Sequence, residues 1–375
     1  MAVLTGARVV TPSGVLDDGW VQVDASTGLI GQVGRGEPPA GERLALSGWL
    51  LPGFIDLHVH GGGGHDFTSS PADMAAGVEF HRRHGTTRAL VSLMAGGIDA
   101  MCTQLGWAAE LAGSGAILGA HLEGPFLASA RCGAQNKAHL LAPDPLVLAK
   151  LLDAGQGTVR TVTIAPEVPG AIGVVEAIVA AGAVAAVGHT DATYEQASAA
   201  FAAGASLATH LFNAMGSMSQ RAPGPAVAAL DAGVYVELIN DGVHVHEALV
   251  RLAARVAPSR LALITDAISA TGVGDGHYTL GDQAVVVESG RARLAGDDRL
   301  RLAGSTLTMD VAVRRAVQSV GLSIEAAVAA ASTNPARLLG LSGVCGAIAP
   351  GLAADLVLMD DDLQVQQVMR AGAWL

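Results

Sequence analysis

The sequence predicts an α/β fold: a (β/α)₈ barrel with a small β-sandwich domain built from both termini. Eight short apolar segments rich in β-branched residues alternate with helical segments through the middle of the chain. The two ends of the chain resemble each other, since each consists of short strands separated by turns. Six side chains able to bind a metal each follow one of the apolar segments.

The terminal segments predict the small β domain. Near the N-terminus, residues 19–24 alternate apolar and polar side chains, and a turn separates them from a second strand at 29–34. Near the C-terminus, strands at 354–360 and 364–375 flank a second turn. We therefore expect residues 1–50 and 342–375 to pair into one domain, with the barrel spanning residues 51–341.

The barrel prediction depends on the count of strands. The eight candidates are residues 53–60, 86–94, 116–124, 158–167, 183–190, 206–215, 234–241 and 261–267. Helical windows between them include 71–85, 144–155, 171–182, 193–204 and 246–256, and several end in Gly, a common helix C-terminal signal. A doubly wound sheet is the alternative, but the glycines after the first strand lack the G-x-G-x-x-G context of a phosphate loop.

Two further elements follow the eighth strand. Residues 276–303 read as a hairpin insertion with a turn at Glu288–Gly290, and the last barrel helix is expected over Met309–Val320. In the first helical window, His81 and His84 are expected on the surface.

Composition limits the partners and the compartment. The formal net charge of −12 argues against nucleic acid and anionic membranes, which reward clustered Lys and Arg, although an anionic small substrate is compatible with it. The first residues predict no signal peptide, and the longest apolar stretch, 178–188, is too short to span a bilayer. Three cysteines make a disulfide framework unexpected, so we expect a cytoplasmic protein.

The candidate metal ligands predict a metal-dependent hydrolase. Imidazoles and carboxylates bind divalent transition metals, and the barrel would bring the ends of its strands to one rim. Residues i and i+2 of a strand face the same side, so His58 and His60 could hold one ion together. The other candidates are Glu123, His189, His210 and Asp266. Taken singly, each has a plain alternative, such as a hydrogen-bonded core histidine or a carboxylate that caps a loop.

Other residues have more than one possible role. Asp266 is a candidate metal ligand, general base, or both, and His244 could donate to a developing oxyanion. Arg221 is either a solvated loop residue or a clamp for an anionic group. Neither lysine ends a strand, so a carboxylated lysine bridge is not available from a barrel strand, and Glu123 is the natural bridge if two ions bind.

The chain resembles the N-acetylglucosamine-6-phosphate deacetylase family of the amidohydrolase superfamily over nearly its whole length. The motifs that carry the resemblance are PGFIDLHVHG, HLEGPF, VGHTDA, THLFNAM, INDGVHV, ITDAI, LAGSTLTM, STNPARLLG and GAIAPGLAADLVLMD, in this order. The motifs HLEGPF, THLFNAM and LAGSTLTM are specific to that branch. The stretch after strand two departs from the family pattern, so a phosphate contact from a partner subunit is not carried over.

The resemblance implies roles for individual residues. Glu123, His189 and His210 match metal ligands, and the retained His58 and His60 leave a second metal site open. Asp266 matches the catalytic acid/base, and His244 matches the residue that polarises the acetyl carbonyl. Positions that match substrate contacts are Ala134, Asn213, Ala214, Arg221 (at the phosphate), Leu302, Ala303 and Gly304.

The activity that the resemblance implies is hydrolysis of N-acetylglucosamine 6-phosphate to glucosamine 6-phosphate and acetate, in amino-sugar catabolism or cell-wall recycling. One or two divalent ions per chain are expected, with Zn favoured over Fe, Mn and Co, and the resemblance implies a homodimer. Two alternatives stay open. One is deacetylation of another amino-sugar phosphate or an N-acyl amino acid, and the other is a non-catalytic binding protein.

Overall fold

The computed structural model describes residues 1–297 and 301–375, and the chain divides into two compact units. One unit comprises residues 1–56, 81–88 and 308–375, and the other comprises residues 57–80 and 89–307. Within the described residues, no helix is both long enough and apolar enough to cross a membrane. The predicted domain boundaries at 50/51 and 341/342 stay a prediction.

The strands are numbered in chain order, and those from β9 to β15 alternate with helices. They are β1 Ala2–Thr11, β2 Gly14–Asp24, β3 Leu29–Arg35, β4 Glu42–Ala45, β5 Trp49–Pro52, β6 Phe54–Asp56, β7 Gly61–Gly62, β8 His65–Asp66, β9 Thr86–Met94, β10 Gly119–Glu123, β11 Val159–Ile164, β12 Val184–Val187, β13 Leu207–Ala208, β14 Tyr235–Ile239, β15 Leu261–Ile264, β16 Gly276–Leu280, β17 Gln283–Glu288, β18 Arg291–Leu294, β19 Leu356–Met359, β20 Val365–Arg370 and β21 Ala373–Trp374.

Eight of these strands form the sheet that carries the candidate ligands. Its order is β6-β9-β10-β11-β12-β13-β14-β15, and the strands from β9 to β15 pair in parallel with their neighbours. Beyond β6 and β15 the two edges meet, because Asp266 N donates to His58 O and His60 N donates to Ala267 O, both at 2.8 Å. The eight-stranded barrel prediction is therefore confirmed, with every strand at its expected place.

Strands from both termini form a separate sheet, as predicted. Its order is β21-β20-β19-β5-β1-β2-β3, and β4 also pairs with β1. Burial does not alternate strictly along β1 and β2: Val3 and Leu4 are both buried, and so are Val21, Gln22 and Val23, so both faces of these strands are partly covered. Val21, Ile30, Leu50 and Leu356 are among the buried residues of this sheet's apolar core.

Some of the helices begin with a side-chain cap that the sequence supplies. In α3 the Asp144 side chain accepts from Leu146 N, and α5 has a capping box formed by Thr193 and Gln196. The helices are α1 Pro71–Arg83, α2 Ile98–Gly113, α3 Pro145–Ala154, α4 Ala171–Ala180, α5 Tyr194–Ala202, α6 Gly224–Ala232, α7 Glu247–Val256, α8 Met309–Gln318, α9 Ile324–Val328 and α10 Asn334–Leu338. Short 3₁₀ turns occupy Ser129–Arg131 and Lys137–His139, and a π-helical turn occupies Ala329–Thr333.

The insertion after β15 is an antiparallel sheet of β16, β17 and β18, and its second turn lies at the predicted position. Residues 298–300 of the predicted 276–303 insertion lie outside the described residues. The surface prediction for His81 is wrong, because this residue is 1% exposed, whereas His84 is partly exposed and lies 3.3 Å from Asp310.

Candidate metal centre and active site

The candidate ligands all lie at the carboxyl ends of barrel strands. His58 and His60 follow β6, and Glu123 is the last residue of β10. His189, His210 and Asp266 each lie two residues beyond β12, β13 and β15. Because parallel strands of a barrel share one carboxyl rim, side chains separated by some two hundred residues converge on one place.

Three of these ligands have an unusual backbone conformation. His189, His210 and Asp266 have φ angles of +48°, +30° and +49°, in the left-handed region that His and Asp tolerate better than most residues. Each of these residues ends the extended conformation of its strand. Such backbone strain concentrates at functional sites, where the surrounding structure holds it in place.

The side chains form two groups that could each hold a metal ion. Glu123, His189 and His210 form the first group, and their ligand atoms lie within 4.8 Å of one another. His58, His60 and Asp266 form the second group under the same limit. All six residues are buried. The structure therefore brings together all the metal ligands that the sequence predicted.

Glu123 lies between the two groups. Its Oε1 is 2.9 Å from His189 Nε2 and 3.1 Å from His210 Nε2, while its Oε2 is 3.4 Å from His60 Nε2. Oε1 also lies 3.4 Å from His58 Nε2, so this one carboxylate contacts both groups. This arrangement suits the bridging role expected from the sequence.

The hydrogen bonds of the imidazoles define which nitrogen is free. His189 Nδ1 lies 2.9 Å from Arg131 O, and His60 Nδ1 lies 3.2 Å from Ser92 O. A carbonyl oxygen only accepts, so both Nδ1 atoms carry the proton and the neutral rings present an Nε2 lone pair. His189 Nε2 lies 3.0 Å from His210 Nε2. Because these two Nε2 atoms lie so close together, they are placed to coordinate one shared cation.

The local electrostatics also favour a cation. Although burial lowers the pKa of His60, hydrogen bonds with Asp266 and Glu123 raise it to about 9. Burial alone would raise the pKa of Glu123, but the nearby imidazoles, His58 foremost, hold it well below its usual range. Burial likewise opposes the ionisation of Asp266, but His58 and His60 lower its pKa. The carboxylates of Glu123 and Asp266 therefore stay ionised and attract positive charge to the six candidate ligands. A divalent ion would supply this charge in place of protons.

A cavity of about 430 Å³ opens onto the two groups. His60, Glu123, His189, His210 and Asp266 line it, and His58 lies beneath them with 0% exposure. His244 also lines the cavity.

The ring of His244 is held by Asp241. Its Nδ1 lies 2.6 Å from Asp241 Oδ2, and Asp241 Oδ1 accepts from the backbone N–H groups of Val243 and His244 at 2.8 Å. Burial raises the pKa of Asp241, but the hydrogen bonds with His244 outweigh it and lower the pKa overall. The carboxylate can therefore balance a positive charge on His244.

The predicted substrate contacts divide into two sets. The residues that line the cavity are Ala134, Asn213, Ala214, Leu302 and Gly304. Ala303 is buried between the last two, and Arg221 is exposed and is not among the described lining residues. The cationic side chains on the cavity wall are Arg131, Lys137 and Arg301.

Sequence reasoning missed three carboxylate or amide side chains. Gln135 donates from Nε2 to Glu123 Oε2 at 2.6 Å while its Oε1 accepts from Ala95 N at 2.9 Å. Asp241 was overlooked beside His244, and Glu237 beside His58. Glu237 gave a signal, because it is the single charged residue of an apolar strand, whereas nothing local distinguished Gln135.

His121 lies on β10 two residues before Glu123 and packs against His58, with the two ring centroids 4.5 Å apart. Its ring nitrogens lie 2.9 Å from Ser92 Oγ and 2.8 Å from Thr163 Oγ1. Burial lowers its pKa well below the usual value, so the ring is neutral.

Comparison with known proteins agrees with this geometry. The amidohydrolase family model matches residues 49–375. N-acetylglucosamine-6-phosphate deacetylase from Homo sapiens is 38% identical over 350 residues, covering 89% of this chain and 85% of that protein. N-acetylgalactosamine-6-phosphate deacetylase from Escherichia coli O157:H7 is 36% identical over 377 residues, covering 99% and 98%.

A solved structure is also similar. It is a mutant of N-acetyl-D-glucosamine-6-phosphate deacetylase from Mycobacterium smegmatis in complex with N-acetyl-D-glucosamine-6-phosphate. The two chains are 46% identical and superpose with a TM-score of 0.95, covering 100% of this chain and 98% of that one.

Proposed function

Since the chain belongs to the amidohydrolase family, we propose that it hydrolyses N-acetylglucosamine 6-phosphate to glucosamine 6-phosphate and acetate. Relatives that share more than a third of its sequence carry this deacetylase name, and the similar structure from Mycobacterium smegmatis holds this sugar phosphate. The observation that carries the proposal is the meeting of Glu123, His189, His210 and Asp266 on one cavity.

We further propose that one or two divalent ions per chain serve the reaction, with Zn favoured over Fe, Mn and Co. Glu123, His189 and His210 would hold the first ion, and His58, His60 and Asp266 the second. The free Nε2 atoms and the two ionised carboxylates fit such ions. When bound, a divalent ion polarises oxygen ligands and lowers the pKa of water toward neutrality.

Asp266 is the proposed general base and acid. Both oxygens of Glu123 are already engaged, by His189 and His210 on one side and by Gln135 on the other. Asp266 is the more accessible carboxylate at the cavity floor. It would take the proton from the attacking water and return it to the leaving nitrogen, so that the amine departs neutral.

His244 is the proposed donor to the acyl oxygen. Donation from Nε2 requires a proton there, and because Nδ1 already bonds to Asp241, the ring must carry both protons. The carboxylate of Asp241 compensates that charge. Loss of a single such donor typically costs ~10²–10³ in turnover.

The sugar would lie against Ala134, Asn213, Ala214 and the backbone at Leu302–Gly304, and Arg221 is the proposed phosphate ligand. For Arg221 the support is motif resemblance alone. Its loop must approach the substrate, since the side chain does not line the cavity.

A second candidate substrate is N-acetylgalactosamine 6-phosphate, the 4-epimer. The N-acetylgalactosamine-6-phosphate deacetylase from Escherichia coli O157:H7 aligns with 99% of this chain, whereas the human N-acetylglucosamine-6-phosphate deacetylase aligns with 89%. The acetamide group reacts in the same way in both sugars. The enzyme can therefore discriminate between the two substrates only through its contacts with the 4-hydroxyl group.

Acetate release from both 6-phosphates and from unphosphorylated N-acetylglucosamine, with metal analysis of the same sample, tests the proposal. We expect the highest kcat/KM with N-acetylglucosamine 6-phosphate and at least one divalent ion per chain. Higher kcat/KM with the 4-epimer would favour the second candidate. No acetate from either phosphate in a metal-replete sample would refute both.

We also propose a cytoplasmic homodimer, as the sequence and the family resemblance imply. Sedimentation of the purified protein tests the assembly.

A further inference from the structure

Glu237 is a buried acid that neither metal-binding group includes. It lies within β14 between the fully buried residues Val236 and Leu238, and its own exposure is 0%. It is not among the described residues that line the cavity, so it does not meet substrate. A charge in such a position is costly and calls for a compensating partner.

The carboxylate of Glu237 contacts both groups of candidate ligands through one oxygen. Glu237 Oε2 is 3.2 Å from His58 Nδ1 and accepts a 3.2 Å hydrogen bond from the backbone N–H of His210. His58 belongs to one group and His210 to the other. The second bond also holds the backbone of a residue whose φ is +30°.

The contact with His58 determines which nitrogen the ring presents. A carboxylate accepts the proton on Nδ1, so Nε2 is directed at the second group, 3.1 Å from His60 Nε2 and 3.6 Å from Asp266 Oδ1. Carboxylates that fix a metal-binding imidazole in this way also raise its basicity as a ligand.

Charge balance gives Glu237 a second reason to be present. One divalent ion is neutralised by Glu123 and Asp266, but two ions leave two positive charges uncompensated in a buried site. Glu237 removes one of them. Its Oε1 has no hydrogen-bond partner among the described residues, so the contacts of Oε2 with His58 and His210 are the hydrogen bonds that its side chain makes there.

We propose that Glu237 is a positioning residue that holds His58 and the backbone of His210, and that it determines whether a second divalent ion is retained. The inference rests on the proposed metal centre. It assigns no contact with substrate and no proton transfer to Glu237.

Two substitutions separate its contributions. Glu237→Gln keeps an oxygen acceptor for His58 and His210 but removes the charge, whereas Glu237→Ala removes both. Thr161→Val is a matched control, because Thr161 is a buried strand residue whose hydroxyl has no partner among the described residues. Circular dichroism and thermal melting check that each variant folds.

The measurement is titration of the metal-free full-length protein with Co²⁺, followed by visible absorption and by competition with a chelator of known affinity. In the wild type and in Thr161→Val we expect two binding steps. In Glu237→Gln the weaker step should lose ~10–100-fold in affinity, and Glu237→Ala should lose at least as much. The absorption of the tighter site should be retained in Glu237→Gln, whereas Glu237→Ala should also alter it, because the hydrogen bond from the backbone of His210 is then lost.

If Glu237→Gln and Glu237→Ala both bind two ions within about threefold of wild type and with the same spectra, the inference is wrong while the proposed function stands. If the wild type itself retains a single ion, the role of Glu237 in a second site is refuted. If the folded wild type binds no Co²⁺, the proposed metal centre fails first.

Discussion

Replacing Asp266 by Asn removes a proton acceptor while keeping the shape of the side chain. Its Oδ1 lies 3.3 Å from His60 Nε2, and the amide can keep an oxygen in this place. The residue also holds a φ of +49°, which Asn tolerates as well as Asp does. We therefore expect the folded structure and the ligands of the first ion to be unaffected.

The expected loss is in turnover. General acid–base help contributes ~10²–10⁴ in rate, equivalent to about 2.7–5.5 kcal/mol of barrier. The upper part of that range applies, because one carboxylate serves both proton transfers and Glu123 has no oxygen to spare. The amide also removes one of two negative charges beside His60, so the second ion should be held less tightly.

Steady-state acetate release with metal analysis of the same sample is the assay, and Asp275→Asn is the matched control. Asp275 accepts from the backbone of Ser289 and Gly290 on the hairpin turn, and it is not among the described residues that line the cavity. A metal-replete Asp266→Asn enzyme with kcat within threefold of wild type would refute the general-base assignment.

Replacing His58 and His60 together by Ala should lower the metal content by about one ion per chain, as elemental analysis would show. Asp241→Asn should lower kcat by ~10–10³ with little change in KM for the sugar phosphate, because the carboxylate that can balance a positive charge on the ring of His244 is then lost. Arg221→Ala should weaken kcat/KM for the 6-phosphate by ~1.5–3 kcal/mol and leave the unphosphorylated sugar nearly unaffected, as steady-state rates on both substrates would show. Metal affinity should rise with pH up to about 9 and then level off, because metal binding must displace the proton that His60 keeps in the metal-free protein below its pKa of about 9. Calorimetry in buffers of different ionisation enthalpy should therefore detect proton release on metal binding at pH 7.

Each of these expectations has a contrary outcome. An unchanged ion count in the double variant would make the two histidines structural. Equal losses on both sugars would show that Arg221 supports its loop and does not bind phosphate. A metal affinity that is flat between pH 6.5 and 9 would contradict the raised pKa of His60.

The sequence predicted the barrel well because a buried parallel strand is a local signal. Each of the eight apolar runs became a strand, and the ligand at its end was predictable from the rule that strand ends meet. Strand lengths were less predictable. The run 206–215 was expected to be one strand, but only Leu207–Ala208 is extended, because His210, Phe212 and Ala214 have positive φ.

The residues that hold the ligands were beyond reach, because their partners are distant in sequence. Glu237 is 179 positions from His58, and no periodicity in either segment predicts that they touch. Gln135 lies in an irregular loop whose path follows from packing. The surface prediction for His81 was wrong for a similar reason. Packing against other elements buries one face of α1, and the sequence of the helix alone does not show which face that is.

The pairing of β5 with β19 has a consequence for synthesis on the ribosome. Leu50 of β5 is opposite Leu358 of β19, so β5 is synthesised 308 residues before the strand that pairs with it. At ~5–20 residues per second, that interval lasts about 15–60 s, during which the edge of β5 that later pairs with β19 is unpaired while the barrel strands emerge. Such edges invite pairing with other chains, so the nascent protein is expected to depend on chaperones until its last twenty residues are released.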